Sequence, residues 1–338
     1  MLHLYDIEAK VFDMRAAWYT QNGSAKDTLI VGEVDTPFAG KGEVLVKLKT
    51  SGVNPSDVKN RKNRPLIAPQ IIPHSDGAGV IEQVGEGVDP ARIGERVWIW
   101  NGQFGRAFGT ACQYIALNAK QAVKMPDGLD FASAACLGIP GLTAFEAVRL
   151  CRDLKDEWVL VTGAGSAVGF YASQMLLLSG AKVIGTVGSK ERATLAQSVG
   201  VKHLIDYKQE SVEDRILSIT EGQGVARVID LDFSSTKELI ASQAIAHHAQ
   251  IVCYGSNQID FSMTFRTLLF KSIELKFFLV YDLTDQARQN DVAGLNQLIQ
   301  EGKIQHCVGK RFSLAQIVQA HEAVESGQLM GNAVIEID

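Results

Sequence analysis

The chain has 338 residues, enough for one large or two ordinary domains, and 46% of them are apolar, enough for a substantial core. A formal net charge of −5 with no long basic run argues against nucleic acid as a partner. No stretch approaches the roughly 18 uncharged apolar residues of a membrane helix, and no basic-then-apolar signal opens the chain, so a soluble protein is expected. Cys112, Cys136, Cys151, Cys253 and Cys307 are odd in number and scattered. That pattern suits reduced thiols in the cytoplasm better than a disulfide framework or a zinc cluster.

Residues 1–13 read as an extraneous leader, and Met14 to Tyr19 as the first strand. From there to about residue 138 short strands alternate with Gly, Pro and Asp: LIVGEV, EVLVKLKTSGV, GAGVIEQVG, RVWIW and CQYIAL. All eight prolines lie between Pro37 and Pro140, and this shift places a boundary near Gly138–Gly141.

Beyond it the pattern becomes α/β. Trp158 to Thr162 is a buried strand, followed by the turn Gly163-Ala164-Gly165-Ser166-Ala167-Val168-Gly169. A helix runs from Val168 to Ser179, stopped by Gly180, and a strand from Ala181 to Val187 completes a βαβ unit. This is the dinucleotide-binding arrangement, although its glycines are spaced G-x-G-x-x-x-G. Gly165, Ser166, Ala167 and Val168 are the candidates to hold a diphosphate, because small residues admit it to the free N–H groups of a helix start. Strands VKHLID, ARVIDLD, AQIVCYGS and IELKFFLVY follow, as a parallel sheet requires. His247 and His248 are placed at the C-terminus of a helix. The run Ile273 to Tyr281 reads as a long apolar edge strand, which a second copy of the chain would cover, so a homodimer is expected. A helix over 285–299, a helix near 317–326 and a strand over 333–337 close the pattern, and this tail is expected to rejoin the first domain.

The segments SGVNPSD (51–57), PHSDGAGVIEQVG (73–85), GERVW (94–98), GIPGLTAFEAV (138–148) and VTGAGSAVG (161–169) follow one another at distances that resemble the medium-chain dehydrogenase/reductase superfamily, in its zinc-free quinone oxidoreductase (zeta-crystallin-like) branch. The resemblance implies an α/β protein with a GroES-like, β-rich catalytic domain (1–138), a doubly wound Rossmann domain for NADPH (139–284) and a C-terminal return to the catalytic domain (285–338). The active site would lie in the cleft between them.

The superfamily's alcohol dehydrogenases hold catalytic zinc with two cysteines and a histidine. Those positions are Asn54, Ser75 and Ile139 here, none a good ligand, and the second zinc site retains only Cys112. No metal is therefore expected. His74, beside the missing ligand, is read as a turn histidine in preference to a displaced ligand or proton donor. Without a Lewis acid, the fitting chemistry is hydride donation to an activated acceptor, a quinone or, alternatively, an enone or alkenal C=C bond. A non-catalytic, crystallin-like NADPH-binding role is a more remote alternative.

Three catalytic candidates follow from the resemblance. Asn54 would face the nicotinamide or substrate, or cap the helix begun by Pro55. Lys59 would stabilise an enolate or donate a proton, or else belong to a solvated basic patch with Arg61, Lys62 and Arg64. Thr143 would face the nicotinamide ring, or be an ordinary helix residue. NADPH is favoured over NADH because Val187 stands where an NAD site carries its acid, with Gly188, Ser189, Lys190 and Arg192 beyond it and Tyr207 for the 2′-phosphate. Tyr254, Gly255, Ser256, Val280 and Tyr281 complete the cofactor contacts that the resemblance implies.

Overall fold

The computed structural model describes residues 13–338, so all of the expected leader except Asp13 lies outside the described residues. Among those described, no helix is long and apolar enough to cross a membrane.

Six strands rich in β-branched residues form one fully parallel sheet. Across the sheet they run His203–Asp206, Lys182–Val187, Trp158–Val161, Val225–Asp230, Ile245–Cys253 and Glu274–Phe277. Numbered along the chain, that is the 3-2-1-4-5-6 order of a doubly wound domain. Helices cover both faces, so the central strands are apolar throughout: Leu160, Ile184, Val228 and Ile251 have no exposed surface. The order reverses between Trp158–Val161 and Val225–Asp230, and there Thr162 Oγ1 donates to Asp230 Oδ1 at 2.9 Å, leaving a crevice above the strand ends.

The second sheet is largely antiparallel. Its long strand Glu43–Val53 pairs with Asp76–Val84, with Tyr114–Asn118 and with Asn332–Glu336. Val308–Ser313 then adds in parallel to Asn332–Glu336. Asp13–Trp18 and Ile30–Asp35 form a separate antiparallel pair, which packs on this sheet's core through Met14, Ala16 and Ala17. Trp98, on strand Arg96–Ile99 of this sheet, shares an apolar core with Val159 and Val161 of the parallel sheet, and its Nε1 donates to Asn296 Oδ1 on helix Asp285–Gln300 at 3.1 Å.

Two expectations are corrected. The apolar run 273–281 is not one strand. Pairing ends at Phe277, and Val280–Asp282 is a 3-10 turn, because Arg288 takes the Val280 carbonyl and Tyr281 turns into the cleft. His247 and His248 lie in strand Ile245–Cys253 rather than at a helix end. The preceding helix stops at Ile240, and His248 takes the left-handed backbone (φ 60°) where the strand register shifts.

Candidate active site

The glycine turn is dictated by close packing. A Cβ at Gly165 would lie 2.6 Å from the Cβ and the carbonyl oxygen of Arg192, and one at Gly169 would collide with the Gly163 carbonyl. Ser166 caps helix Ala167–Leu178, its Oγ accepting from Gly169 N at 3.0 Å. That leaves the first-turn N–H groups, those of Ala167 and Val168 among them, without intrahelical acceptors. A cavity of about 660 Å³ opens over them, lined by Gly163, Gly165, Ser166, Gly188, Arg192 and Tyr207. Such a backbone-lined hollow at a helix start fits a dinucleotide diphosphate.

At its far end, Ser189 caps helix Lys190–Ser198 by accepting from Arg192 N at 3.3 Å. Lys190 is exposed, and so is Tyr207, whose ring packs over Gly188. Glu191 is also exposed, and hydrogen bonding, to Ser189 among others, holds its carboxyl below the usual range. Arg192 is already engaged: Nη1 donates to Gly165 O at 2.9 Å, and Nη2 to Gly327 O at 2.6 Å and Leu329 O at 3.3 Å. It therefore ties the glycine turn to the loop after helix Ile317–Glu325.

Tyr254, Gly255 and Ser256 line a separate hollow with Phe233 and Phe261, and the buried Tyr254 hydroxyl has no partner among the described residues. Gly255 lies against the Leu231 carbonyl, while Ser256 Oγ donates within its own turn to Gln258 O at 2.7 Å. Val280 is buried, and Tyr281 spans the cleft. The Tyr281 hydroxyl is 2.8 Å from Ser56 Oγ, its ring stacks on Phe104 at 4.8 Å, and its carbonyl accepts from Asn101 Nδ2 at 2.8 Å.

Of the catalytic candidates, Asn54 lies two residues before Ser56, the partner of Tyr281. Asn54 precedes helix Pro55–Asn63, and its backbone N–H donates to Asp57 Oδ2 at 2.7 Å, which secures the helix start. Its side chain does something else: Nδ2 donates to Asp76 Oδ2 at 2.8 Å, and that same oxygen accepts from Ile139 N at 3.1 Å. Burial pushes the Asp57 carboxyl up to about 7 and the Asp76 carboxyl well above its ordinary value, against the pull of these donors. Thr143 is buried in the first turn of helix Leu142–Leu150. Lys59 is exposed on helix Pro55–Asn63, one turn beyond the Asn54 end.

Lys59, Lys62 and Arg64 are exposed, as a solvated basic patch requires, but Arg61 does not belong to it. Arg61 has no exposed surface. It donates to Gly23 O and pairs with Glu325 at 3.0 Å, and Lys62 pairs with the same carboxylate. His74 is more than a turn residue. It is buried with φ 79°, its Nδ1 2.8 Å from Ser51 Oγ and its Nε2 2.9 Å from Nε2 of His321. Burial pushes its imidazole down to about 3, so it sits neutral in a hydrogen-bonded pair. Sequence reasoning missed His321, Asp76 and Asp57. The available signal was the acid two residues after His74, in PHSDGAGV.

Two family models match: an alcohol dehydrogenase GroES-like domain over residues 40–127 and a zinc-binding dehydrogenase over 167–301. The chain is 27% identical to quinone oxidoreductase of Rattus norvegicus over 332 residues, which span 95% of this chain and 97% of that protein. It is 29% identical to quinone oxidoreductase of Pseudomonas aeruginosa over 306 residues, 88% and 91% of the two chains. A mycobacterial protein solved in complex with NADPH superposes with a TM-score of 0.84 at 26% identity, covering 96% of this chain and all of that one. The zinc of the second family model's description does not fit the residues present. Ile139 has no donor atom, the Asn54 amide is committed to Asp76, and the described residues contain no metal-holding group of His, Cys, Asp and Glu.

Proposed function

The chain belongs to the quinone oxidoreductase branch of the medium-chain dehydrogenase/reductase superfamily, and on that premise we propose that it is an NADPH-dependent quinone reductase that works without zinc. The working cleft lies between residues up to 138 and the parallel-sheet unit 139–284, with 285–338 returning to the first. When bound, the nicotinamide supplies a hydride to the acceptor. Gly165, Ser166, Ala167 and Val168 receive the diphosphate. Ser189, Lys190, Arg192 and Tyr207 surround the 2′-phosphate, with Gly188 giving it room. Tyr254, Gly255, Ser256, Val280 and Tyr281 wall the nicotinamide end, and Thr143 lies beneath it. Asn54 donates an N–H to the acceptor oxygen as negative charge builds there.

The observation that carries this reading is the Asn54–Asp76 pair: where a zinc alcohol dehydrogenase holds a metal ligand, a buried carboxamide is held by a buried carboxyl. The five free cysteines suit a reducing compartment, the cytoplasm. The test is NADPH oxidation with 1,4-benzoquinone, 9,10-phenanthrenequinone and but-3-en-2-one, with and without a chelator, alongside elemental analysis. Quinone turnover is expected to persist in chelator, with well under one zinc per chain. Lys59→Ala is expected to leave quinone turnover within about threefold, since an exposed side chain in water adds little. A loss confined to butenone would assign Lys59 to enone reduction instead. Stoichiometric zinc with oxidation of simple alcohols would overturn the proposal.

Assembly is part of the same reading. Phe265, Leu269 and Phe270 on helix Phe265–Lys271 and Phe277 on the edge strand are all exposed large apolar side chains, the kind an interface covers. Two copies joined along this edge would cover them. Light scattering is expected to give twice the chain mass, and Leu269→Lys/Phe277→Lys to give a monomer. A wild-type monomer at micromolar concentration would refute the dimer.

A further inference from the structure

Asp76 opens strand Asp76–Val84 and is fully enclosed. Three contacts fix it. Its Oδ2 accepts from Asn54 Nδ2 and Ile139 N, its main-chain oxygen accepts from Thr110 Oγ1 at 2.5 Å, and Thr110 is in turn 2.7 Å from Ser51 Oγ. Among the described residues its Oδ1 has no partner, and it lies against Gly138, where a Cβ would collide with it. A buried carboxyl with a free oxygen and no cation hydrogen-bonded to it is costly to keep, so its place needs a reason.

That reason lies in the chemistry of a carboxamide. The Asn side chain has nearly the same shape when its O and NH₂ ends are exchanged, but one end donates and the other only accepts. An oxygen turned toward the acceptor would repel the charge that develops during reduction, and an N–H would attract it. Oδ2 of Asp76, already accepting from the Ile139 amide, offers Asn54 an acceptor and so selects the NH₂ end on that side. Asp57 performs the separate task of holding the Asn54 backbone.

We propose that Asp76 is a positioning residue for the reduction: through the Asn54 Nδ2–Asp76 Oδ2 bond it fixes the carboxamide so that the second N–H of Asn54 serves the acceptor oxygen. Asp76 itself does not touch the acceptor. The proposal rests on the reading of Asn54 as the donor.

A double-mutant cycle tests it. Wild type, Asp76→Leu, Asn54→Ala and the double variant are compared for kcat with 1,4-benzoquinone, and each is checked for NADPH Kd and Tm. Each single variant is expected to lose about 10²-fold in kcat with NADPH Kd within about threefold, and the double variant to lose no more than the worse single. Asp76→Asn keeps an oxygen for both N–H donors and is expected to recover kcat to within about tenfold of wild type. If Asp76→Leu does not fold, Asp76→Ala takes its place in the cycle. Multiplicative losses in the double variant, near 10⁴-fold, would show that Asp76 acts by another route and would overturn the positioning role alone. An unchanged kcat in the Asp76 single variant would do the same. An unchanged kcat in Asn54→Ala would overturn the donor reading and the positioning role together.

Discussion

Lys190→Ala/Arg192→Ala is expected to lower kcat/KM for NADPH by about 10²–10³-fold and to leave NADH nearly unchanged. Hydrogen bonds to a charged group contribute about 1.5–3 kcal/mol each, and a tenfold change corresponds to about 1.4 kcal/mol, so two such contacts span about 10²–10⁴-fold, and the lower part applies because Arg192 is shared with carbonyls. The two residues are not equivalent. Lys190 is exposed at the first turn of its helix and free to follow the phosphate. Arg192 already donates to Gly165, Gly327 and Leu329, so a phosphate must share its guanidinium with carbonyls that hold the cleft's outer edge. Its removal therefore has a structural side, and NADH reports it. A loss that falls equally on both cofactors would mean that Arg192 serves the loop and not the phosphate.

Asn54→Ala is expected to lower kcat for quinone by about 10²–10³-fold, the usual cost of removing one preorganised donor from a site of developing negative charge. NADPH Kd stays within about threefold, because the diphosphate and 2′-phosphate contacts lie at the other end of the cofactor. Helix Pro55–Asn63 survives, since the Asn54 backbone N–H still has Asp57. The variant also leaves Asp76 Oδ2 with Ile139 N alone, so Tm falls by a few degrees, in line with about 1 kcal/mol for a neutral hydrogen bond. A drop in Tm with kcat intact would make Asn54 a structural cap.

The cofactor half was legible because its signals are local. The strand, the glycine turn, the helix and the next strand occupy consecutive residues, and small residues at 163–169 answer to contacts within the same unit or with the neighbouring helix. The substrate half resisted because its contacts join distant segments. Asp76 meets Asn54 and Ile139, and His74 meets His321, across separations that no periodicity records. Arg61 sits in a run of charges that reads as solvated, yet the helix turns it toward Gly23 and Glu325. The apolar run after Ile273 looks like unbroken strand because hydrophobicity alone does not distinguish pairing in a sheet from burial in a cleft, which is where Val280 goes.

The pairing of Asn332–Glu336 with Glu43–Val53 sets an order of events during synthesis. All six strands of the parallel sheet have emerged once Phe277 leaves the ribosome. The other sheet still lacks Val308–Ser313 and Asn332–Glu336, so the Thr50–Val53 end of Glu43–Val53, which Tyr114–Asn118 does not cover, stays open until Glu336 emerges. A nascent chain thus gains its nucleotide-binding half first and carries an open sheet edge, the kind that invites aggregation, through the rest of elongation. A transcript cut short before residue 332 is expected to yield a product that keeps the parallel sheet but lacks the strand paired with Thr50–Val53, next to Asn54. Pulse-labelled truncations retained on a nucleotide resin, yet inert toward quinone, would display that order directly.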